Sequence, residues 1–278
     1  MAPQEIAPKW DDLFQIKGKV ALVTGGSRGI GKMIATGFVA HGAKVYITSR
    51  DKKACDETAE ELNALGKGSC IAIPADLSKL SEVERLVKEI NQKEDKLHIL
   101  VNNAGATWGA PIEEFPDEAF AKVMLLNLQR VFTLTQKLLP LLEKAAVRTE
   151  GSETAFDDPS RVINIGSVDG LKVPAQETYP YSASKAGLHH MTRHLAGHHG
   201  GRGITFNSIS PGPFQSKMMR ATLEAFGDVI VSRVPLGRIG SPEDAAGTCI
   251  FLSSRAGAYV NGATIALDGG SVCSPPHL

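Results

Sequence analysis

The 278-residue chain predicts one α/β domain built on a mainly parallel, doubly wound sheet. Three observations point there. Short aliphatic and β-branched runs alternate with segments of helical period from end to end, which calls for βαβ units with right-handed crossovers and helices on both faces. The first run, Val20-Ala21-Leu22-Val23, passes straight into a glycine-rich turn that opens a helix. No repeat, low-complexity tract or linker divides the chain, and 42% hydrophobic content suffices for a large core.

Residues 1–16 read as an N-terminal extension and 17–278 as the domain. A strand is expected at 19–24 and a helix at 32–41, where Gly42 is a plausible stop. A β-rich run at 43–48 follows, then a helix at 51–65 ended by Gly66. A third strand at 69–74 leads to an amphipathic helix at 81–92, with Val83, Leu86, Val87 and Ile90 at helical spacing. A fourth strand at 97–101 runs into Asn102-Asn103-Ala104-Gly105. A long helix is expected at 117–146, bent near Pro140. The polar block 147–160 reads as an exposed insertion. Further strands are expected at 161–165, 204–209 and 263–267, and helices at 181–196 and 242–253. Residues 211–236, rich in Met and Phe, read as an irregular substrate lid.

Thirty basic and thirty acidic residues balance, which gives no basis for a general nucleic-acid or anionic-membrane partner. No apolar run approaches the roughly 20 residues that span a bilayer, and the polar start lacks the apolar centre of a signal peptide. Cys55, Cys70, Cys249 and Cys273 are scattered, which disfavours a disulfide framework or zinc site and fits a reducing, cytoplasmic setting.

The turn Thr24-Gly25-Gly26-Ser27-Arg28-Gly29-Ile30-Gly31 is an anion site by construction. Helix first-turn N–H groups lack partners, and glycines admit a phosphate without a Cβ in the way. Gly26-x-x-x-x-Gly31-Lys32 resembles a P-loop, but Met33 stands where a magnesium-binding hydroxyl is needed. That leaves a Rossmann-type dinucleotide turn. The second strand ends Thr48-Ser49-Arg50, with no acid to accept from a free ribose. Arg28 and Arg50, with Ser27 and Ser49, suit a ribose phosphate instead, so the expected cofactor is NADP(H). Asp51, one position later, is expected to cap the next helix.

Four motifs fall in register: the glycine turn, Asn102-Asn103-Ala104-Gly105, Tyr181-Ser182-Ala183-Ser184-Lys185 and Pro211-Gly212. On these, from about Lys17 to Gly270, the chain resembles the short-chain dehydrogenase/reductase family. Leu236-Gly237-Arg238, Pro242-Glu243-Asp244 and Asp268-Gly269-Gly270 make it most similar to its 3-oxoacyl-[acyl-carrier-protein] reductases, including those of rhamnolipid synthesis. The resemblance implies an NADP(H)-dependent reductase of a ketone, or oxidant of a secondary alcohol, on a Rossmann fold. It implies catalytic roles for Asn127, Ser167, Tyr181 and Lys185, with Asn127 holding a water of a proton relay. It implies that Asp76 and Leu77 meet adenine, and that Asn103, Ala104 and Gly105 line the cofactor. It further implies that Pro211, Gly212, the Phe214 backbone and Ser216 meet the carboxamide. Pro213 departs from the usual pattern there. It also implies a homotetramer or homodimer joined through the long helices after the fourth and fifth strands.

The residue chemistry agrees. An unperturbed phenol has a pKa near 10, too high for proton transfer at neutral pH. Lys185 lies one helical turn beyond Tyr181, where its ammonium would favour the phenolate. Ser167, at a strand end, can bond the substrate oxygen. Tyr179 is a rival, but position 183 offers it no Lys. His189, His190, His194, His198 and His199 crowd one helix end; His190, His194 and His198 share a face, yet the group reads as imidazoles near a helix C-terminus, partly exposed or in a subunit contact, and no metal is expected. No Gly-x-Ser-x-Gly elbow supports a serine hydrolase. The alternative to an enzyme is a catalytically silent NADP(H)-sensing regulator, which would have no need of all four catalytic residues. Trp108, Pro111, Phe115, Val173, Met218, Met219, Leu223, Phe226, Val229 and Ile230 suggest an apolar cleft for a small carbonyl or alcohol substrate, with acyl thioesters, alicyclic diketones, sugars with apolar substituents and polyketides as the candidates. Arg130, Lys172 and Arg220 are the basic candidates at its mouth for an acyl-carrier partner.

Overall fold

Alternating aliphatic side chains decide how the sheet is covered. All five residues of β1 (Val20–Thr24) are buried. Ala21 and Val23 belong to one core and Val20 and Leu22 to the other. A strand buried on both faces must divide its side chains in this way. The computed structural model describes residues 10–216 and 219–274, and for 220–223 the backbone alone.

After β1 come α1 (Gly29–Ala40), β2 (Lys44–Thr48), α2 (Lys52–Asn63), β3 (Ser69–Ala72), α3 (Leu80–Lys93) and β4 (Ile99–Asn102). The second half runs α4 (Asp117–Met124), α5 (Arg130–Ala145), β5 (Val147–Arg148), β6 (Phe156–Asp158), β7 (Ser160–Ile165), α6 (Tyr179–His199), β8 (Ile204–Pro211), α7 (Arg220–Ser232), α8 (Pro242–Ser253) and β9 (Thr264–Leu267). Seven strands form one sheet in the order β3-β2-β1-β4-β7-β8-β9, every pair parallel. Helices α1, α2 and α8 cover one face through Ile34, Phe38, Leu62 and Cys249. Helices α3, α5 and α6 cover the other through Leu86, Ile90, Leu138, Leu142 and Ala196. The doubly wound Rossmann architecture expected from the sequence is present.

Some elements depart from expectation, each for a local reason. Helix α1 starts at Gly29, inside the glycine motif, so the turn and the helix N-terminus are one feature. The helix expected at 117–146 is interrupted by a π-helical turn, Leu125–Gln129, between α4 and α5. Pro140 lies within α5. A π turn holds one residue more than an α turn, and such bulges re-aim a side chain. Here it turns Asn127 fully inward. Residues 211–236, expected to be irregular, contain α7, a helix with one non-helical residue, Phe226. In the block 147–160, β5 and β6 pair antiparallel. Asp158 at its end bonds Lys19 at 2.7 Å and the buried Arg161 at 2.9 Å, so that end is anchored to the domain.

A polar cluster sits in the core beneath the ends of the central strands. Asn102 Nδ2 donates to Asn164 Oδ1 at 2.9 Å and to Thr135 Oγ1 at 3.1 Å. Asn164 Nδ2 donates to Thr192 Oγ1 at 2.9 Å, which donates to the Leu188 carbonyl at 2.7 Å. Buried amides are tolerated only when satisfied in this way, and these bonds tie β4, β7, α5 and α6 together. No helix among the described residues is long and apolar enough to cross a membrane.

Candidate active site

The strand order locates the site. From β1 the chain winds outward to β3, then returns to β1's other side with β4. A crevice opens at such a switch point, outside the carboxyl ends of the two strands. Thr24 closes its floor: its hydroxyl accepts from the N–H groups of Asn103 and Ala104, both at 2.9 Å. The Asn103 amide donates to the Thr24 carbonyl at 2.9 Å and to that of Gly25 at 3.3 Å. The glycine turn presses against this end of β4 so closely that a Cβ on Gly31 would overlap the Gly25 carbonyl and the Asn103 amide. A Cβ on Gly25 would lie 2.8 Å from Asn103 Nδ2. Across the turn, Ser216 approaches to 3.3 Å of where a Gly29 Cβ would stand. Arg28, the N-cap of α1, makes no side-chain cap bond, and the first turn holds no acid, so this helix end is open to an anion. Ile30, beside it, packs on the core.

The adenosine end is polar. Ser27 Oγ donates to Ser49 Oγ at 2.9 Å. Arg28 pairs with Asp51 at 3.1 Å, and both side chains are about half exposed. Such a pair contributes little and is readily exchanged for a better anion. Asp51 also caps α2, accepting from Ala54 N at 3.1 Å. Arg50 is exposed and near Asp76. Partial burial would raise the Asp76 carboxyl, but bonds from the Ser78 hydroxyl and N–H, with the charges of Arg50 and Lys79, hold it below its ordinary value. Leu77 beside it is buried.

At the other end, Tyr181 and Lys185 share a face of α6. Lys185 is buried, and its Nζ donates to the Ile165 carbonyl at 2.7 Å while lying 5.6 Å from the Tyr181 ring centroid. Burial drives its ammonium down to about 8, with the Asp169 charge opposing. The Tyr181 phenol is pushed up to about 12 by burial, against a hydrogen bond with Ser167 and with help from Asp169. Without a cofactor the Lys185 ammonium, engaged with a carbonyl, does not offset the desolvation of Tyr181; the expected lowering has the positive nicotinamide ring as its second source.

Asn127 joins the remaining segments. Its Nδ2 donates to the Ala106 carbonyl at 2.9 Å and to Ser184 Oγ at 3.1 Å, and its Oδ1 accepts from Ala106 N at 2.8 Å. A Cβ on Gly105 would be 3.2 Å from that oxygen and 3.8 Å from Lys185 Nζ, so Gly105 lets the two side chains face one small space. Ser167 leaves the end of β7 with its hydroxyl accepting from Asp169 N at 3.1 Å. Pro211 ends β8, and Gly212 N donates to the Leu267 carbonyl at 2.9 Å. The Phe214 side chain is buried in the core, leaving only its backbone to the crevice. Ser216 Oγ accepts from Met219 N at 3.2 Å. Met218 and the side chains of Arg220 and Leu223 lie outside the described residues, as do 1–9 of the extension.

The rival groups stand elsewhere. Tyr179 is exposed and donates to Glu177. His194 and His198 stack edge to face at 4.6 Å, and the described residues hold no group of three or more metal-ligating side chains. Arg130 Nε donates to the Ser78 carbonyl at 3.2 Å, and Lys172 Nζ to Ser271 at 2.8 Å, so both candidate partner-binding cations are engaged within the chain. Sequence reading gave no site role to Thr24 or Ser184 and placed His189 only among the histidines of a helix end. The first two sit inside motifs already singled out. His189 carried a spacing signal, standing four residues beyond Lys185 and eight beyond Tyr181.

Known proteins resemble this chain over most of its length. Residues 25–272 match the family model described as enoyl-(acyl carrier protein) reductase. The rhamnolipids biosynthesis 3-oxoacyl-[acyl-carrier-protein] reductase of Pseudomonas aeruginosa is 45% identical over 92% of this chain and 97% of its own. The 3-oxoacyl-[acyl-carrier-protein] reductase FabG of the same organism is 36% identical over 94% of this chain and all of its own. The solved Pseudomonas aeruginosa RhlG/NADP active-site complex superposes with a TM-score of 0.86 at 44% identity, covering 94% of this chain and 99% of that one. With the glycine turn, Asn127, Ser167, Tyr181 and Lys185 gathered at one switch-point crevice, and relatives matched over nearly their full length, the chain belongs to the short-chain dehydrogenase/reductase family.

Proposed function

We propose that this oxidoreductase uses NADPH to reduce the ketone of an apolar substrate, a 3-oxoacyl thioester foremost, with Tyr181 as the proton donor. The observation that carries this reading is the convergence of Tyr181, Lys185, Ser167 and Asn127 at the end of a crevice whose other end is a basic, glycine-lined anion site.

The residues present fit the cofactor. The uncapped end of α1 and the close glycine turn suit a pyrophosphate. Ser27, Arg28, Ser49 and Arg50 suit a ribose phosphate, Arg28 exchanging Asp51 for it. Asp76 and Leu77 suit adenine, and Asn103, Ala104, Gly105, Pro211, Gly212, Phe214 and Ser216 border the remaining length. Bound NADPH supplies the hydride that the carbonyl carbon receives. The protein does the rest. Ser167 holds the carbonyl oxygen beside Tyr181. The phenol gives that oxygen its proton as negative charge gathers there, and Lys185, still mostly protonated at pH 7, limits the cost of the phenolate left behind. Asn127, aimed by the π turn, orders the path by which the proton is replaced. Trp108, Val173, Phe226 and Val229 are exposed apolar side chains of the segments flanking the crevice and lid, which favours an acyl chain over a sugar. In the same reading the assembly is a homotetramer, with exposed Phe120 and Phe132 on α4 and α5 available to a subunit contact.

The direct test is NADPH oxidation with a panel of 3-oxoacyl thioesters and simple ketones. Tyr181→Phe should lower kcat by at least about 100-fold while NADPH still binds; turnover within a few-fold of wild type would remove Tyr181 from its role. Arg50→Ala should raise KM for NADPH by roughly 10-fold or more and leave that for NADH nearly unchanged; equal effects on both would place the ribose phosphate elsewhere.

Lys185 also predicts a pH-dependent stability. It titrates near 10.5 when unfolded and near 8 in the fold. Below pH 8 it is charged in both states, and folding bears the full desolvation cost. As pH rises from 8 towards 10.5 the unfolded chain binds the more protons, and the cost is relieved. Lys185→Met should therefore be inactive yet more stable, by about 1–3 kcal/mol at pH 7, with the advantage shrinking by about pH 10. Urea midpoints at both pH values check this.

A further inference from the structure

His189 is a buried titratable group that the proposed mechanism leaves unused. It continues the face of α6 that carries Tyr181 and Lys185, one turn further on, and is 2% exposed. Its ring occupies a slot made by two glycines that bracket Ser167. A Cβ on Gly166 would overlap the ring, and one on Gly170 would come within 2.8 Å of Cδ2 and Nε2. Nε2 lies 3.2 Å from the Ser167 carbonyl oxygen and 3.2 Å from Ser210 Oγ. Nδ1 lies 3.0 Å from Ser208 Oγ and 3.5 Å from Ser210 Oγ.

The Ser167 carbonyl assigns the tautomer. A carbonyl oxygen only accepts, so Nε2 carries the proton and donates to Ser167. Nδ1 is then the acceptor, facing the Ser208 hydroxyl, which also lies 3.2 Å from the Asn164 carbonyl, and the Ser210 hydroxyl. Burial holds the imidazole below its ordinary pKa, which keeps this neutral form. The position matters because β7 ends at Ile165, after which the chain leaves the sheet. Gly166 N still bonds the Ile209 carbonyl at 2.7 Å. The carbonyl of Ser167, one residue further, accepts from Gly170 N at 3.0 Å within its own turn, and His189 at 3.2 Å is the contact that links it to α6.

We propose that His189 is a positioning residue: it locks the Ser167 peptide to α6, so that the Ser167 and Tyr181 hydroxyls belong to one rigid frame. The role rests on Ser167 acting as proposed above. Small misplacements of such a group cost rate more than binding.

Kinetics of substitutions at 189 test this with NADPH and a 3-oxoacyl thioester. His189→Leu fills the slot but donates nothing; it should lower kcat by about 10- to 100-fold with KM and NADPH affinity within about threefold of wild type. His189→Gln places its amide nitrogen as far along the side chain as Nε2 and should restore most of kcat. His189→Asn reaches only as far as Nδ1 and should not. Urea midpoints of the three variants should not follow this order. In a Ser167→Ala background, His189→Leu should cost less than about threefold more, since its effect passes through Ser167. A wild-type kcat in His189→Leu, equal recovery by Gln and Asn, activity that tracks stability, or losses that multiply with Ser167→Ala would each overturn the role. A wild-type kcat in Ser167→Ala would overturn it through the Ser167 assignment itself, whereas normal His189→Leu kinetics beside a depleted Ser167→Ala would leave that assignment standing.

Discussion

The buried ammonium of Lys185 is the constraint around which this structure is arranged. A lysine taken out of water loses several kcal/mol of hydration unless the fold offers compensation. Here that comes from the Ile165 carbonyl at the end of β7 and from the charge of Asp169. It does not restore the ordinary pKa, which stays depressed to about 8. The fold thus keeps a costly group in place, and the rest of the site accounts for why it must stand there. Tyr181, on the same helix face, is partly buried and is a poorer acid than a free phenol. A cation nearby is what makes its phenolate reachable at all.

Several irregular features become intelligible from that requirement. Gly105 lacks a side chain where one would fill the space shared by Asn127 and Lys185. The π turn sends the Asn127 amide inward, where it meets Ala106 and Ser184 and satisfies groups that would otherwise be buried unpaired. Ser184, held by the Tyr181 carbonyl at 2.7 Å, passes the connection back to α6. The Asn102, Asn164 and Thr192 cluster fixes that helix to β4 and β7 from below. A costly polar site is kept in one geometry by a polar core with few alternatives.

Much of this was legible in the sequence, and what was not had a physical reason. Four motifs in one order were enough for the sheet, the cofactor turn and the Tyr181–Lys185 pair, because each encodes a local backbone need or a one-turn spacing. The π turn was not legible: Leu125-Leu126-Asn127-Leu128 has good helical pattern, and a one-residue bulge scarcely disturbs it. The Arg28–Asp51 pair was missed because residues 23 positions apart meet only through tertiary structure. The high Tyr181 pKa was missed because burial depth is not written in spacing. His189 lay within a run of histidines whose bland reading, exposed imidazoles near a helix end, suits His190, His194 and His198 but not the residue facing the sheet.

The central claim is that Tyr181 is a poor acid until the site is filled, and that bound cofactor, with Lys185, makes it a usable one. Ultraviolet titration of the Tyr181 phenol, read as wild type minus Tyr181→Phe, addresses this directly. Without cofactor, no phenolate from Tyr181 should form below about pH 11; with NADP+ bound, its phenolate signal should rise between about pH 7 and 9. The same titration midpoint with and without NADP+ would contradict the account.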